Sequence, residues 1–354
     1  MTTAYLRGQA LIDSIRSAPY SRDLIGYHGQ PPHPQWPNQA RIAVQFVLNY
    51  EEGGENHIEH GDAGSEQFLS EIVGAASFPA RHMSMDSMYE YGSRAGFWRI
   101  HQEFQRRQLP MTIFGVGMAL ARNPYVVEAI QQADYDVVSH GQRWLHYQSM
   151  DMATERQHMD QAISVLETLF GHAPIGWYTG RDSPNTRQLL AEFPQIQYDC
   201  DYYGDDLPFW QTLTNAQGQS RPHLIIPYTL DSNDMKFAAA AGFNSGEQFY
   251  QYLKDAFDVL YAEGETAPKM LSIGIHCRLL GRPGRFKALQ RFLDYIQSHP
   301  QVWICRRGDI AAHWYRHHAP EPVKSRKLAP ALCSFNHLSK KLAFHRNLAL
   351  ILHF

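Results

Sequence analysis

Two adjacent carboxylates, Glu51 and Glu52, stand directly after an apolar, β-branched run at 42–48 and are followed by Gly53 and Gly54. Further along the chain, four more apolar runs stop on ionisable side chains: His140, Arg181, Asp199 with Asp201, and His276. A carboxylate beside a histidine can take a proton from water. A second histidine or an arginine can then stabilise the developing oxyanion and protonate a departing nitrogen. The chemistry such a set supports is hydrolysis. Taken singly, each residue has a plain structural use. Glu-Glu is a solvated turn, a lone histidine is a hydrogen-bonded structural group, Arg181 is an ion-pair partner and Asp201 is a helix cap. A strand that runs out of the core into solvent usually ends in Gly, Asn, Ser or Lys, so five strands ending on ionisable groups point to a site.

The elements that must position these groups follow from hydrophobic periodicity. Short β-branched runs bounded by Gly, Pro or charge predict strands at 41–50, 109–117, 136–141, 175–181, 197–201, 223–229, 269–278 and 302–306. Helical spacing predicts helices from 84 to 104, from 123 with Asn as cap and Pro at the first position, and at 152–170, ending on Gly171. Others are predicted at 184–193, 245–261, 283–298 and 310–315. Strands alternating with helices predict a parallel sheet. Seven or eight such units predict an α/β fold: a distorted (β/α) barrel of seven to eight mostly parallel strands, whose charged strand ends converge on one mouth. No GxGxxG follows the first strand, which argues against a dinucleotide site. Residues 1–40, proline-rich at 29–38, read as an N-terminal arm and 41–320 as the catalytic barrel domain. Residues 321–354 read as a basic C-terminal extension of unknown role, with six Lys/Arg and no acid from 323 onward.

The bulk properties narrow the classes. A chain of 354 residues with 44% hydrophobic content has ample core material, and a formal net charge of −3 does not suggest nucleic acid or a membrane surface as partner. No run of about 18 apolar residues predicts a transmembrane helix, and the N-terminal segment has no leader pattern. The four cysteines are far apart with no CxxC spacing, which argues against a thiolate metal site and fits a reducing cytoplasm.

The motifs in order are Asn49-Tyr50-Glu51-Glu52-Gly53, Ser139-His140-Gly-Gln-Arg-Trp144, Gly180-Arg181-Asp-Ser-Pro184 and Ile273-Gly-Ile-His276-Cys-Arg278. As a set they resemble the polysaccharide deacetylase (NodB-homology) motifs Phe-Asp-Asp-Gly, His-x-x-x-His, Arg-x-Pro and Leu-x-x-His, over roughly residues 40 to 315. The departures are informative. The family's Asp-Asp is Glu51-Glu52, and its second metal histidine falls on Trp144, with His146 displaced by two residues. Asn-Tyr-Glu-Glu-Gly-Gly-Glu, Arg81-His-Met-Ser-Met and His-Cys-Arg-Leu-x-Gly-Arg-Pro-Gly-Arg are similar to the cofactor-independent allantoinase branch of that superfamily.

That resemblance implies hydrolysis of the hydantoin amide of allantoin to allantoate, with no metal and no other cofactor, by a cytoplasmic homotetramer. It implies Glu51 as activator of water, His140 as the group that orients or shares its proton, and His276 as the acid toward the ring nitrogen. Arg181 is expected to stabilise the carbonyl oxygen or to orient Glu51. Glu52, Trp144, Asp201, Tyr228 and Arg282 are expected to bind substrate, Arg282 from the loop 281–285. Two alternatives stand beside this reading: a metal-dependent N-deacetylase using Glu52, His140 and His146, and a non-catalytic binding module on the same scaffold.

Overall fold

The computed structural model describes residues 5–320. Its centre is β1 (Ile42–Tyr50), all nine residues of which are buried. The run is apolar on both faces because both faces are covered, as parallel strands require. It is flanked by β2 (Thr112–Gly115) along its upper half and by β8 (Lys269–His276) along its whole length, both parallel. The short β9 (Val302–Ile304) fills the place below β2, pairing with Ile42–Val44. From β2 the sheet continues through β3 (Asp136–Ser139), β4 (Gly176–Trp177) and β5 (Tyr198–Asp199) to β7 (Ser220–Ile225). An antiparallel strand, β6 (Phe209–Thr214), closes the far edge.

This is the expected distorted, mostly parallel barrel, curled and left open between the β6–β7 edge and β8. An isolated bridge, Asn233 to Gly274, stands there where a ladder would close it. Arg307, fully buried, staples across the gap. Its guanidinium donates to Pro227 O (2.8 Å), Ser272 Oγ (2.9 Å) and Gln45 Oε1 (3.0 Å), so groups near β7, on β8 and on β1 share one cation.

The helices in chain order are α1 (Gly8–Ser17), α2 (Met83–Tyr91), α3 (Phe97–Arg107), α4 (Gly117–Arg122), α5 (Pro124–Gln132), α6 (Met152–Phe170), α7 (Thr186–Leu190), α8 (Gly246–Glu263), α9 (Cys277–Leu280), α10 (Pro283–Gln297) and α11 (Arg307–His317). Their ends follow local chemistry. Asn123 caps α5 by accepting from Val126 N, Asp151 caps α6 through Ala153 N and Thr154 N, and Gly171 ends α6 at φ 79°.

Several elements differ from expectation: α4 and α9 match no expected helix, the helix expected at 84–104 is interrupted at Gly92–Gly96, and the strand expected at 175–181 is only Gly176–Trp177. The strand expected at 223–229 is β7, three residues earlier, and β6 before it was not foreseen. Most of the β6 side chains are partly or fully exposed, so its sequence lacks a clean alternation. The arm contains a helix, α1, none of whose residues is buried. Its end is anchored: Trp36 is buried between Trp303, His313 and Trp314 and donates through Nε1 to Lys269 O at 3.0 Å. The expected basic extension, 321–354, lies outside the described residues.

Candidate active site

Glu51 leaves the end of β1, His140 the end of β3 and His276 the end of β8, so neighbouring strand ends bring them together. One carboxylate oxygen, Glu51 Oε1, lies 3.2 Å from His140 Nε2 and 3.5 Å from His276 Nε2. The other, Oε2, accepts from Arg278 Nη2 at 2.6 Å. The same guanidinium donates to Glu52 Oε1 at 3.2 Å and, through Nε, to Leu69 O at 2.7 Å. The cluster is sealed: Glu51 is 0% exposed, His140 2% and His276 4%.

Burial would push the Glu51 carboxyl up, but the charges of Arg278 and His276 and the bond to His140 hold it well below its ordinary value. Glu52 goes the other way. Its burial and the neighbouring Glu51 charge outweigh Arg278 and raise it. His276 loses from burial but gains more from facing two carboxylates, Glu51 and Asp234, and is pushed up to about 9. It is therefore an imidazolium at neutral pH, with Nδ1 donating to Asp234 Oδ1 at 2.6 Å and Nε2–H turned toward Glu51. Asp234 is fixed in turn by His276 N (2.8 Å) and Leu280 N (2.9 Å). His140 Nδ1 is buried with no partner among the described residues.

The remaining expected residues surround this centre. Trp144 is buried, with the Arg181 guanidinium 3.8 Å and the Arg278 guanidinium 5.1 Å from its ring, and it stacks on Phe68 at 6.1 Å. Arg181 thus sits outside Trp144 and Arg278 inside it. The expectation that Arg181 orients Glu51 is corrected on this point, since that bond is made by Arg278. Arg181 instead faces a cavity of about 620 Å³ lined also by Asn56, Glu66, Gln67, Phe68 and His146, and its Nη2 is buried without a partner among the described residues.

Asp201 accepts from Thr179 N and Gly180 N, both at 2.7 Å, and so fixes the turn that carries Arg181. Burial and the charges of Asp182 and Asp199 push Asp201 up to about 8. The Tyr228 hydroxyl accepts from Asn49 Nδ2 at 3.1 Å, tying the end of β7 to β1. Arg282 stacks on Tyr91 at 3.7 Å and pairs with Glu71, away from Glu51.

Two members of the site were missed. Arg278 falls within the strand expected at 269–278, but β8 ends at His276. Arg278 lies in the first turn of α9, which starts immediately after His276. That sharp turn is possible because Gly96 and Gly281 leave room for it. A Cβ on either would collide with the Cys277 carbonyl oxygen. Asp234 opens a 3₁₀ turn (Asp234–Ala238) with no periodic signal.

A sealed carboxylate–histidine cluster at the strand ends of an open-sided α/β barrel defines a hydrolase site. The chain belongs to the polysaccharide deacetylase family, a family of hydrolases. The polysaccharide deacetylase family model matches residues 81–198. A "putative polysaccharide deacetylase" of Schizosaccharomyces pombe is 44% identical over 314 residues, covering 84% of this chain and 98% of that one.

Among solved structures, Puue allantoinase is 58% identical with a TM-score of 0.83, covering 86% of this chain and 100% of that one. A probable polysaccharide deacetylase of Pseudomonas aeruginosa PAO1 is 59% identical with the same TM-score, covering 85% and 100%. No helix among the described residues is long and apolar enough to cross a membrane.

The family resemblance implies a metal held by an acid and two histidines, and the residues here do not fit one. Trp144 has no lone pair to offer in the plane of a metal. Glu52 already faces the Arg278 guanidinium, and His146 is exposed on the outer cavity.

Proposed function

We propose that this chain hydrolyses the hydantoin amide of allantoin to allantoate using its own side chains. The observation that carries the reading is the Glu51 carboxylate held among His140, an imidazolium His276 and the fixed cation Arg278. The 58% identity to Puue allantoinase supports the substrate.

In this reaction a water adds to the ring carbonyl carbon, and its proton passes to the Glu51–His140 pair. His140 Nδ1 is the atom suited to receive it, because both Glu51 oxygens are engaged and that ring nitrogen has no other partner among the described residues. His140 then becomes an imidazolium whose Nε2–H is stabilised by Glu51. As the carbon–nitrogen bond breaks, the Nε2 proton of His276 moves to the departing nitrogen. The carbonyl oxygen becomes one oxygen of the new carboxylate. Arg278 stays charged throughout and keeps Glu51 ionised.

Allantoin is small and dense in N–H and C=O groups, which suits a site with Trp144 as a stacking face and Arg181, Asp201, Tyr228 and Glu52 around it. The same reading carries a cytoplasmic homotetramer acting in purine catabolism.

The second reading is a metal-dependent N-deacetylase of an acetylated sugar; the Pseudomonas aeruginosa neighbour is named a probable polysaccharide deacetylase. Chelator-treated protein incubated with allantoin separates them. Allantoate is the expected product. No allantoate, together with acetate released from chitin oligomers only when zinc is restored, would establish the second reading. Binding of allantoin with no turnover, unchanged by Glu51→Gln, would leave a binding module.

A further inference from the structure

Residues 65–78 lie over the sealed site and are built as a unit. The two ends are clasped by Ser65 N to Phe78 O (3.0 Å), Ser77 Oγ to Ser65 O (2.8 Å) and Phe78 N to Ser65 Oγ (3.1 Å). The body is tied across by Gln67 Nε2 to Ala75 O at 3.3 Å. Closed ends and an internally bonded body are the marks of an Ω-loop, a form that often serves function.

Its tip covers the site. Phe68 stacks on Trp144, and the buried Leu69 gives its carbonyl to Arg278 Nε. The tip is also strained, since Leu69 adopts φ +50°, a left-handed conformation that disfavours a residue with a Cβ. Outside the tip, Glu71 makes a two-pronged pair with Arg285 at 2.8 Å on both oxygens, and Arg282 lies 3.7 Å away. These are the arginines of the loop after β8 that the hydrolytic chemistry leaves unused.

A base with no exposed surface cannot meet a substrate from solution unless something moves. We propose that residues 65–78 are a cover that lifts to admit substrate and closes through two latches, Glu71 with Arg285 and the Leu69 carbonyl with Arg278. Arg278 is thereby the positioning residue that links the closed cover to Glu51. One planar guanidinium serves Leu69 O, Glu51 and Glu52 at once, through three of its N–H groups in a fixed fork. When the cover lifts, that fork loses one anchor, and the hold on Glu51 loosens until the cover returns. Strain at Leu69 favours opening, and the two latches oppose it. The inference rests on the proposed reaction only for the role of Glu51; the movement of the cover stands without it.

Three measurements on the full chain test it. Hydrogen exchange of amides 66–76 should accelerate about 2- to 5-fold in Glu71→Gln, the size set by losing one partly exposed ion pair, while β1 amides stay unchanged. Equal exchange in the two proteins would refute the outer latch.

In Arg278→Lys, a point charge replaces the fork. The expected result is faster exchange at 66–76 and a kcat for ring opening reduced at least tenfold. A lysine variant with full kcat and full protection would show that only charge matters, and would overturn the positioning role.

Finally, a cleavable thiol cross-linker joining Glu71→Cys to Arg285→Cys, in a Cys333→Ser background, should stop turnover until the linker is cut. Undiminished turnover while cross-linked would sink the cover itself. If the unmodified chain does not act on allantoin, the functional reading fails, yet the exchange measurement still decides whether the cover opens.

Discussion

Asp234→Asn is the perturbation that most directly probes the acid half of the site. His276 stands at about 9 because the charges of Glu51 and Asp234 outweigh its burial. Removing one of two facing charges within contact distance is worth about 1–3 pH units, so the histidine falls to about 6–8. At about 1.4 kcal/mol per unit, this weakens the hold on the proton by roughly 1.4–4 kcal/mol.

Geometry adds a second effect. Asp234 Oδ2 accepts from His276 N and Leu280 N, while Oδ1 faces the ring. An asparagine that keeps its oxygen on the two backbone donors turns its NH₂ toward His276 Nδ1 and makes that nitrogen an acceptor. The ring is then neutral, with its proton on Nε2, and is a poor acid at the same position.

The sign follows. The acid works only while protonated, so activity is lost as pH rises through its pKa. The alkaline limb of kcat/KM for allantoin should move down by about 1–3 units in the variant, and the rate near pH 8 should fall about 2- to 100-fold with the protonated fraction. Nitrogen NMR of the labelled ring gives the same answer without substrate, because Nδ1 should be unprotonated in the variant at neutral pH. An unmoved alkaline limb, or a doubly protonated ring in Asp234→Asn near pH 8, would refute the charge argument.

Arg278→Met leaves two buried carboxylates without their cation. It should lower stability by about 3–5 kcal/mol, read from urea unfolding. A loss below about 1 kcal/mol, the range of surface pairs, would mean that the pair is already open to water. Gly96→Ala should lower the melting temperature sharply, by more than the gain in helix propensity can offset, because the new methyl meets the Cys277 carbonyl. A wild-type melting curve would contradict the close approach. Stability should fall as pH rises from about 6.5 to about 9. His276, raised in the fold, contributes fully below its unfolded value near 6.5, and its contribution is gone above about 9. Asp201, raised to about 8, and Glu55, raised to about 7, change stability with the same sign over the lower part of that window. Urea midpoints that stay level across this range would contradict all three shifts.

The parts of the site legible in the sequence are those where a strand ends. β1, β3 and β8 are apolar runs broken by Glu51, His140 and His276, and a break in hydrophobic pattern is visible in one dimension. Asp234 and Arg278 escape for a different reason. Asp234 sits in a turn between β7 and α8 and acts only through its bond to His276. Arg278 becomes a site residue because the chain turns into α9 at Cys277, and that turn depends on Gly96, some 180 residues earlier in the chain. Arg181 is instructive in the opposite sense. It was singled out as a charged strand end, and it does reach the mouth, but on the far side of Trp144. Strand-end position predicts which face of the sheet a side chain serves, and the packing of Trp144 decides which of two arginines reaches the carboxylates. β6 was missed because an exposed antiparallel ribbon carries little hydrophobic pattern.

Trp144 and Arg278 together account for why this pair of acids behaves as it does. Two adjacent buried carboxylates repel each other and would share a proton if left alone. Arg278 gives each an opposite charge, but not equally: Glu51 Oε2 is at 2.6 Å and Glu52 Oε1 at 3.2 Å, and only Glu51 also has two histidines on its other oxygen. The carboxylates therefore separate, Glu51 held low and Glu52 raised. Trp144 keeps the cation there. Its ring lies 5.1 Å from the Arg278 guanidinium and 3.8 Å from that of Arg181, a π-system within cation–π reach of both. Replacing this indole with a smaller side chain would remove that π-system and the Phe68 stack together. Residue 144 thus supports the cation that separates the two acids, and it packs under the Phe68 of the cover.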